Sequence, residues 1–372
     1  MKILALEPFH GGSHKAFLDG WSQASEHDWT VLGLPGYKWK WRMRHAAVHF
    51  AAETRQLLSR GREWDVIFCS DMLNLAEFLG LADERLGALP RVAYFHENQL
   101  TYPVRVDEER DYHFGMINLS TALAATRVWF NTAWHRDSFL RGARDFLQRM
   151  PDYRPMEIVK QIQARSSVQP QGVAAMPRRG KRKPGPLRIV WAARWEHDKN
   201  PADFFEAVGR LRDSGEEFRV SVVGEQFREV DPVFAEAQRE LGDRIEHWGY
   251  LESRAEYEAV LGGADVIVST ANHEFFGVSV VEAVAAGAFP LVPKRLAYPE
   301  ILGGEESDRY FYNGTVADLT GRLEELAGRL AASGSVWGEG DAGTAAGLVE
   351  KFTWPVLAPR LDKALKAAAK AR

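Results

Sequence analysis

The chain has 372 residues, of which 45% are hydrophobic and 26% are charged, and its formal net charge is −4 at pH 7. This composition excludes a disordered or fibrous protein, and the length favours two domains over one. The acidic balance argues against a protein wrapped in nucleic acid, although a local basic patch is compatible with it. The single cysteine, Cys69, lies in an apolar run, so we expect a reducing compartment and no internal disulfide.

The N-terminal segment argues against secretion. It reaches Glu7 and Pro8 too soon for the apolar core of a secretory signal. No later apolar run in the sequence approaches the length that spans a membrane. We therefore predict a cytoplasmic protein that does not contact a membrane.

The first half of the chain alternates short apolar runs with longer stretches of helical spacing. We predict strands at the apolar runs, namely Lys2–Leu6, Trp29–Leu34, Asp65–Ser70, Arg91–Phe95 and Arg127–Asn131. One of the stretches between them, His45–Arg60, has the spacing of a helix whose apolar face comprises Val48, Ala51, Ala52 and Leu58. A strand followed by a helix, repeated along the chain, is typical of a parallel sheet.

The second half repeats this plan. Its predicted strands are Leu187–Ala193, Arg219–Gly224, Ile245–Trp248, Asp265–Thr270 and Phe289–Pro293. Helical spacing occupies the intervals, for example in Pro201–Asp213 and Val278–Ala286. We therefore predict an α/β protein with two doubly wound, Rossmann-like domains facing each other across a cleft, with ligands bound at the carboxyl ends of the strands.

A segment rich in proline, glycine and positive charge lies between the halves. We predict an exposed linker at residues 177–186, so that the first domain covers 1–176 and the second covers 187–355. The linker cations are interpreted either as phosphate contacts or as merely solvated side chains: Arg178, Arg179, Lys181, Arg182 and Lys183. The final segment, 356–372, has helical spacing, and we expect it to return to the first domain.

The turn after the first predicted strand contains Gly11 and Gly12. Two glycines let the backbone approach a ligand closely, and the following Ser13 is placed to cap a helix whose start attracts phosphate. An ordinary flexible turn explains the same residues equally well. No metal site is predicted, because three histidines match no compact zinc spacing and receive no role: His10, His14 and His113.

The loop after the first strand of the second domain carries two cations, Arg194 and Lys199. Fixed positive charge at this position suits a diphosphate that gains negative charge as a glycosidic bond breaks. Such charge favours the transition state over the ground state. The competing interpretation is a solvated surface loop.

The segment after the strand Asp265–Thr270 is the most informative part of the sequence. It contains Glu274 in a loop and Glu282 inside an otherwise apolar helix, where a carboxylate is costly unless a ligand or partner satisfies it. Backbone N–H groups at the start of this helix are placed to meet sugar hydroxyls or phosphate oxygens, and they belong to Phe275, Phe276 and Gly277. We interpret the segment as a nucleotide-sugar site, against the alternative of a purely structural helix start.

Taken together, Arg194, Lys199 and the segment from Glu274 to Glu282 resemble the donor site of retaining glycosyltransferases with the GT-B fold. The resemblance covers nearly the whole second domain. It implies that the two cations hold the diphosphate. It also implies that Glu274 contacts the transferred sugar and that Glu282 binds the ribose. Neither a metal nor another cofactor is implied, because the two cations take the place of a metal.

The first domain carries a narrower signature in three segments, Glu7–Phe17, Leu34–Arg44 and Tyr94–Pro103. These segments resemble the tRNA-queuosine mannosyltransferase family. Two further segments, Phe130–Phe139 and Gln169–Val173, extend the similarity along the chain. The resemblance implies transfer of mannose from GDP-mannose to queuosine in the tRNA anticodon.

The acceptor side of the predicted site rests on two kinds of observation. The family resemblance places His96 beside the donor sugar, and Glu97 and Asn98 near the acceptor. Independently, residues 38–45 alternate cations with aromatic side chains, a pairing that binds phosphate while stacking an unstacked base. The predicted RNA contacts are Lys38, Trp39, Trp41 and Arg42. The alternative is that the tryptophans pack on the core while the cations are solvated.

We expect retaining transfer through an oxocarbenium-like state, in which the leaving phosphate takes the acceptor proton and no enzyme nucleophile is needed. Two other functions stay open. One is the same fold acting with another nucleotide sugar on a small molecule, lipid or polysaccharide; a membrane-bound acceptor would call for a basic amphipathic helix. The other is a non-catalytic RNA-binding module, which the presence of Arg194, Lys199 and Glu274 disfavours.

Overall fold

The computed structural model describes residues 1–104, 111–177, 179–226, 230–303, 307–338 and 342–370. The chain forms two compact units. Unit 1 comprises Met1–Val173 and Trp354–Arg372, and unit 2 comprises Ala174–Thr353. Within the described residues, each unit is built around a parallel sheet of six strands, which confirms the predicted α/β class.

The strands of unit 1 are β1 (Lys2–His10), β2 (Asp28–Pro35), β3 (Val66–Ser70), β4 (Arg91–Phe95), β5 (Arg127–Phe130) and β6 (Ser166–Val168). They lie in the order β2-β1-β3-β4-β5-β6. The five predicted strands are all present. The sixth strand, β6, was not predicted because it is only three residues long, begins with two serines and pairs with β5 alone at the edge of the sheet.

The helices of unit 1 that precede residue 174 are α1 (Gly12–Ala24), α2 (Trp39–Ser59), α3 (Leu75–Leu81), α4 (Glu84–Gly87), α5 (Tyr112–Ala124), α6 (Ala133–Gln148) and α7 (Glu157–Arg165). The strands β3 and β4 are buried almost throughout, as expected for a parallel sheet with helices on both faces. Helix α2 begins six residues earlier than predicted. The predicted apolar face is right for Ala51 and Leu58, which are buried, and wrong for Val48, which is 55% exposed, and for Ala52, which is exposed.

The strands of unit 2 are β7 (Leu187–Ala192), β8 (Phe218–Val223), β9 (Ile245–Gly249), β10 (Val266–Val268), β11 (Phe289–Pro293) and β12 (Phe311–Tyr312). They lie in the order β12-β11-β10-β7-β8-β9. The five predicted strands are again present. The strand β12 was not predicted because it has only two residues. Since β7 and β10 are parallel neighbours, the segments that follow them meet at the same edge of the sheet.

The helices of unit 2 are α8 (Pro201–Asp213), α9 (Pro232–Leu241), α10 (Arg254–Gly263), α11 (Val278–Ala285), α12 (Tyr298–Leu302), α13 (Val316–Ser333) and α14 (Ala342–Val349). Helix α8 has the predicted bounds, and its first residue is a proline, which suits the first helical position because its missing N–H has no intrahelical partner there. No helix in the described part of the chain combines the length and the apolar character needed to cross a lipid bilayer.

The last described helix, α15 (Trp354–Lys370), packs in unit 1. Its residues Leu357, Leu361 and Leu365 are fully buried, in a cluster that includes side chains of α1 and β3. The indole of Trp354 fits closely because residues 20 and 172 are glycines: a Cβ atom there would approach the ring to 2.1 and 2.4 Å.

Residues 177–186 are not simply a solvated linker. The carboxylate of Asp265, fully buried at the start of β10, receives hydrogen bonds from Arg179 Nη2 at 2.6 Å and from Arg182 Nη2 at 2.8 Å. The backbone N–H of Arg188 donates to the same carboxylate at 3.0 Å. The prediction of free linker cations is therefore wrong for Arg179 and Arg182, because both neutralise a buried charge. Arg178 lies outside the described residues.

Candidate functional site

The predicted donor residues of unit 2 lie in the segments that follow β7 and β10. Lys199 ends a short 3-10 helix, His197–Lys199, and its ammonium group reaches the loop after β10. Its Nζ donates to Glu274 Oε2 at 3.2 Å and to the carbonyl oxygen of His273 at 2.9 Å. Asp198 Oδ2 lies 3.1 Å from the same nitrogen. The structure therefore joins Lys199 and Glu274, which are 75 residues apart in sequence.

Lys199 and Glu274 keep each other charged. Burial alone would lower the pKa of Lys199, but the carboxylates of Glu274 and Asp198 outweigh this effect and raise that pKa. Burial alone would raise the pKa of Glu274, but the Lys199 ammonium outweighs it and lowers that pKa. A fixed positive charge at the end of a parallel strand is suited to an anionic leaving group.

Arg194 lies on the same loop as Lys199 but is placed differently. Its side chain is 43% exposed, and its Nη2 lies 3.3 Å from Glu196 Oε2. An exposed ion pair of this kind has a small net energy. The structure thus provides one held cation, Lys199, and one accessible cation, Arg194.

The segment 275–277 begins helix α11. The rings of Phe275 and Phe276 are buried, and their backbone N–H groups donate to Glu274 Oε1 at 3.1 and 3.4 Å. These two N–H groups therefore orient Glu274. The sequence analysis predicts instead that they hydrogen-bond a ligand directly. Gly277 has φ of 88°, and a Cβ atom there would lie 3.0 Å from the Tyr298 ring, so both conformation and space favour glycine.

Glu282 is buried inside α11, as predicted, and it is satisfied by protein groups. Arg254 Nη1 donates to its Oε1 at 2.8 Å, and the hydroxyl of Tyr257 donates to its Oε2 at 3.0 Å. Arg254 and Tyr257 of α10 therefore offset part of the desolvation cost that suggested a ribose ligand. The role of Glu282 in ribose binding stays a prediction.

Sequence reasoning missed His273, which precedes Glu274 in the sequence and whose carbonyl oxygen accepts from Lys199. Burial and the nearby Lys199 ammonium lower the pKa of His273 to about 4, so this imidazole is neutral at physiological pH. Its ring packs edge-on against Phe275, with centroids 4.3 Å apart. Its position next to Glu274 was the only sequence signal that could have identified it.

In unit 1, polar side chains collect where β1, β3 and β4 end. His96 follows β4 and is 7% exposed. Its backbone N–H donates to Asp71 Oδ1 at 2.8 Å, and its carbonyl oxygen accepts from Asn131 Nδ2 at 2.9 Å. Residues that follow three neighbouring strands, β3, β4 and β5, therefore fix the backbone of His96. The family resemblance places this residue beside the donor sugar.

Two residues without a predicted role complete this cluster. Glu7 at the end of β1 and His14 in the first turn of α1 are both buried, and their side chains lie 3.3 Å apart. The imidazole of His14 stacks on that of His96, with centroids 4.0 Å apart and planes inclined by 32°. Glu7, His14 and His96 are near enough to hold a metal. However, imidazole lone pairs lie in the ring planes, so two stacked rings do not both direct a lone pair at one ion.

The paired glycines have a structural explanation. Gly11 is the N-cap residue of α1, so the prediction that Ser13 caps the helix is wrong, because the helix begins before it. A Cβ atom on Gly11 would lie 2.8 Å from the Cα of Gly36, so the close approach is to the turn after β2. Gly12 has φ of 52° and open space around its Cα. His10 pairs with Asp19 at 2.8 Å instead of joining the cluster.

Glu97 and Asn98 begin the turn after His96. Asn98 is fully buried, and its Oδ1 accepts from the backbone N–H groups of Leu100 and Thr101 at 3.1 and 3.0 Å. Its side chain therefore builds the turn, while Glu97 is partly exposed and accepts from the Gln99 side chain. A cavity of about 240 Å³ adjoins this turn, and its lining includes Tyr112, Arg141 and Arg149. His113 is exposed on α5.

The alternating aromatic and basic residues form the start of α2. Trp39 packs on Phe114 with ring centroids 5.0 Å apart, and Arg42 is buried, donating to the Pro35 carbonyl oxygen at 3.0 Å. Trp41, in contrast, is 58% exposed. Lys38 is exposed. The structure thus separates the four residues into a packed pair, Trp39 and Arg42, and an exposed pair, Lys38 and Trp41.

Comparison with solved structures confirms the predicted GT-B fold. Sucrose-phosphate synthase from Thermosynechococcus elongatus matches with a TM-score of 0.71 over 100% of both chains, at 14% sequence identity. Among curated sequences, a GDP-mannose-dependent alpha-(1-6)-phosphatidylinositol dimannoside mannosyltransferase from Mycobacterium tuberculosis is 28% identical over 120 residues. This match covers 32% of the present chain and 30% of that protein.

The comparisons also identify the family. Residues 2–173 match the family model for the tRNA-queuosine alpha-mannosyltransferase N-terminal domain, and residues 174–331 match the model for glycosyl transferases group 1. A tRNA-queuosine alpha-mannosyltransferase from Drosophila melanogaster is 38% identical over 311 residues, which is 80% of the present chain and 81% of that protein. The chain therefore belongs to the tRNA-queuosine alpha-mannosyltransferase family of glycosyltransferases.

Proposed function

We propose that this enzyme transfers mannose from GDP-mannose to queuosine in the anticodon loop of tRNA, with retention at the anomeric carbon. The observation that carries the proposal is 38% identity, over 80% of the chain, to the Drosophila relative that is named as a tRNA-queuosine alpha-mannosyltransferase. The reaction belongs in the cytoplasm, where a reduced thiol is normal, in keeping with a single buried cysteine.

The donor assignment is supported by the charges at the end of the unit 2 sheet. Cleavage of the bond between the sugar and the diphosphate leaves additional negative charge on the leaving phosphate. Lys199 supplies a fixed positive charge and Arg194 a partly exposed one, and such groups stabilise the transition state without a metal. The Mycobacterium relative is named as GDP-mannose-dependent, which is in keeping with this donor.

The proposed mechanism needs no protein nucleophile. The bond from the anomeric carbon to the phosphate oxygen breaks, the acceptor hydroxyl oxygen bonds to the same face of that carbon, and the leaving phosphate takes the hydroxyl proton. Glu274 is then a positioning group, because one of its oxygens already accepts two backbone N–H groups and the other accepts from Lys199. Its 23% exposed side chain leaves room for a sugar hydroxyl.

The acceptor assignment is supported by the surface at the start of α2. Tyr37 and Trp41 are 60% and 58% exposed, although aromatic rings of this size are usually buried. Lys38 and Lys40 lie between them in the sequence and are exposed. Exposed rings interleaved with cations bind unpaired bases and backbone phosphates of single-stranded RNA.

The Trp41→Ala variant is expected to raise the KM for tRNA, because stacking of one base on an aromatic ring contributes about 1–3 kcal/mol, which corresponds to roughly 5- to 150-fold. The KM for GDP-mannose should change little. Initial rates at varied tRNA and saturating donor measure the effect. Tyr250→Ala is the matched control, because Tyr250 is equally exposed, at 60%, but lies in unit 2. An unchanged KM for tRNA in the Trp41 variant would remove this surface from the acceptor site.

The direct test of function incubates the protein with GDP-mannose and with tRNA that either contains or lacks queuosine, followed by nucleoside digestion and mass spectrometry. One added hexose, confined to the queuosine nucleoside, is the expected result. Hexose transfer from another nucleotide sugar would correct the donor. Donor hydrolysis without transfer to tRNA would keep the glycosyltransferase and refute the tRNA acceptor. Binding of tRNA without turnover of any donor would leave an RNA-binding module.

A further inference from the structure

We propose that Glu7 and His14 are positioning residues for the transfer reaction: they hold the His96 imidazole in one orientation and in its neutral form, ready to hydrogen-bond a substrate hydroxyl through Nδ1. This inference rests on the proposed function. It assigns a purpose to two buried charged residues of unit 1 that neither the donor nor the acceptor site otherwise uses.

Glu7 is held firmly at the end of β1. Its Oε1 accepts from the backbone N–H of Phe9 and from the hydroxyl of Ser70, both at 2.9 Å. Its Oε2 lies 3.3 Å from His14 Nδ1. The carboxylate is therefore anchored by two neighbouring strands, β1 and β3, and it presents its remaining oxygen to the first turn of α1.

His14 in turn supports His96. The two rings stack at 4.0 Å, and the edges of the His96 ring meet Phe17 at 5.1 Å and Tyr94 at 4.6 Å. Because rings surround it and its backbone is tied to Asp71 and Asn131, His96 has little rotamer freedom.

Two polar atoms in this cluster lack partners. Among the residues that the structure describes, neither His96 Nδ1 nor Asp71 Oδ2 has a hydrogen-bond partner, although both side chains are more than nine-tenths buried. A buried polar atom left unpaired costs about 1–3 kcal/mol. Both residues lie at the carboxyl end of a parallel sheet, where ligands of such folds bind. A substrate hydroxyl that hydrogen-bonds here would recover that cost.

The charges of the cluster assign the protons. Burial alone would lower the pKa of His14, but the carboxylate of Glu7 outweighs it and raises that pKa to about 9. His14 is thus a cation at neutral pH. Burial, together with this cation beside it, lowers the pKa of His96 well below its usual value. A neutral imidazole can either donate to or accept from an uncharged hydroxyl, whereas an imidazolium can only donate.

The other titratable groups around the two rings do not reverse this assignment. Burial raises the pKa of Asp71, which reduces the negative charge beside His96 at neutral pH, and it raises the pKa of Tyr94, which is uncharged at that pH. The nearby His135 on α6 adds a small effect that also lowers the pKa of His96. Glu97 raises the pKa of His14, in the same direction as Glu7, and also raises that of Asp71. His96 therefore remains the neutral member of the stacked pair.

The test compares pH profiles of kcat/KM for the wild type and for a Glu7→Gln/His14→Gln double variant, which removes both charges and leaves no buried charge unpaired. Without the cation, the pKa of His96 rises. Burial still lowers that pKa in the variant. A histidine of ordinary pKa 6.5 is about one-quarter neutral at pH 6, so the variant should lose activity between pH 8 and pH 6, by at most about fourfold. The wild type should lose little over this range, because His96 is already neutral at pH 6.

The matched control is His10→Gln. His10 lies on the same segment and pairs with a carboxylate, Asp19, at 2.8 Å, but it does not stack on His96. Its variant should keep the wild-type pH profile. A loss in the double variant that is equal at all pH values would overturn the proposal, because it would indicate packing alone.

A second measurement does not depend on the folding of the variant or on activity. Carbon-13 labelled histidine in the wild-type protein gives one imidazole signal for each residue, and His10→Gln and His96→Gln spectra help to assign them. Between pH 6 and pH 8, His14 should stay protonated and His96 neutral. A His14 that loses its proton near pH 6.5, or a charged His96 at pH 7, would refute the inference. Absence of any transfer activity would refute the proposed function while leaving this titration decisive for the charge assignment.

Discussion

We expect the Lys199→Met variant to lose about 100- to 1,000-fold in kcat, the range found when one preorganised group that stabilises transition-state charge is removed. Lys199 is the held cation of the unit 2 site, with carboxylates on two sides and a side chain only 11% exposed. Its charge is in place before the reaction starts. Steady-state rates with saturating donor and acceptor measure the effect, and Lys366→Met is the matched control because Lys366 pairs with an exposed glutamate of unit 1.

The same variant leaves the carboxylates of Asp198 and Glu274 without their cation, so folding must be measured separately by thermal unfolding. A Lys199→Met/Glu274→Gln double variant separates the two effects. Because Lys199 and Glu274 are in contact at 3.2 Å, their contributions to kcat should not add. Wild-type kcat in a folded Lys199→Met variant would show that this cation does not stabilise the leaving group.

The Asp265→Asn variant is expected to destabilise unit 2 by about 3–5 kcal/mol, since removing one partner of a buried ion pair leaves the other charge uncompensated. Here one carboxylate compensates two guanidinium groups, Arg179 and Arg182. Denaturant unfolding followed through the tryptophans of unit 2 measures the loss. Asp213→Asn is the control: Asp213 pairs with Arg212 while 68% exposed, and exposed pairs contribute about 0–1 kcal/mol.

The pH dependence of this contribution has a defined sign. Burial alone would raise the pKa of Asp265, but Arg182, Arg188 and Arg179 outweigh it and lower that pKa. The stabilisation is therefore fully present above the pKa of an unfolded aspartate and is lost as the pH falls through the lower, folded value. A loss of stability in Asp265→Asn that is equally large at acidic and neutral pH would contradict this account.

The fold was largely predictable because buried parallel strands are continuous apolar runs. The runs that became β3, β4 and β11 are buried along nearly their whole length, and such runs are recognisable without tertiary information. The short edge strands β6 and β12 were not, because two or three residues carry too little pattern. The start of α2 was not predicted, because its N-cap residue, Lys38, has a left-handed conformation and the sequence contains no capping motif there.

Two residues of the candidate site could be selected from the sequence because each follows a predicted strand. Lys199 and Glu274 were selected on that basis, and the structure brings them into contact. The pair of Glu7 and His14 was not selected, because its significance depends on the stacking of His14 on a residue 82 positions away in the printed sequence. Likewise, the engagement of Arg179 by a buried aspartate is a tertiary contact that composition could not reveal.

The helix α15 has a consequence for how the chain is made. Synthesis delivers the whole of unit 2 before residues 354–370 emerge, yet Trp354 and Leu361 complete the packing around α1. Asp362 also accepts a hydrogen bond from the Trp21 indole at 2.8 Å. Domains generally fold in order of emergence from the ribosome. Unit 1 is an exception to that order, because we expect part of its apolar surface to stay exposed until residues 354–370 are synthesised.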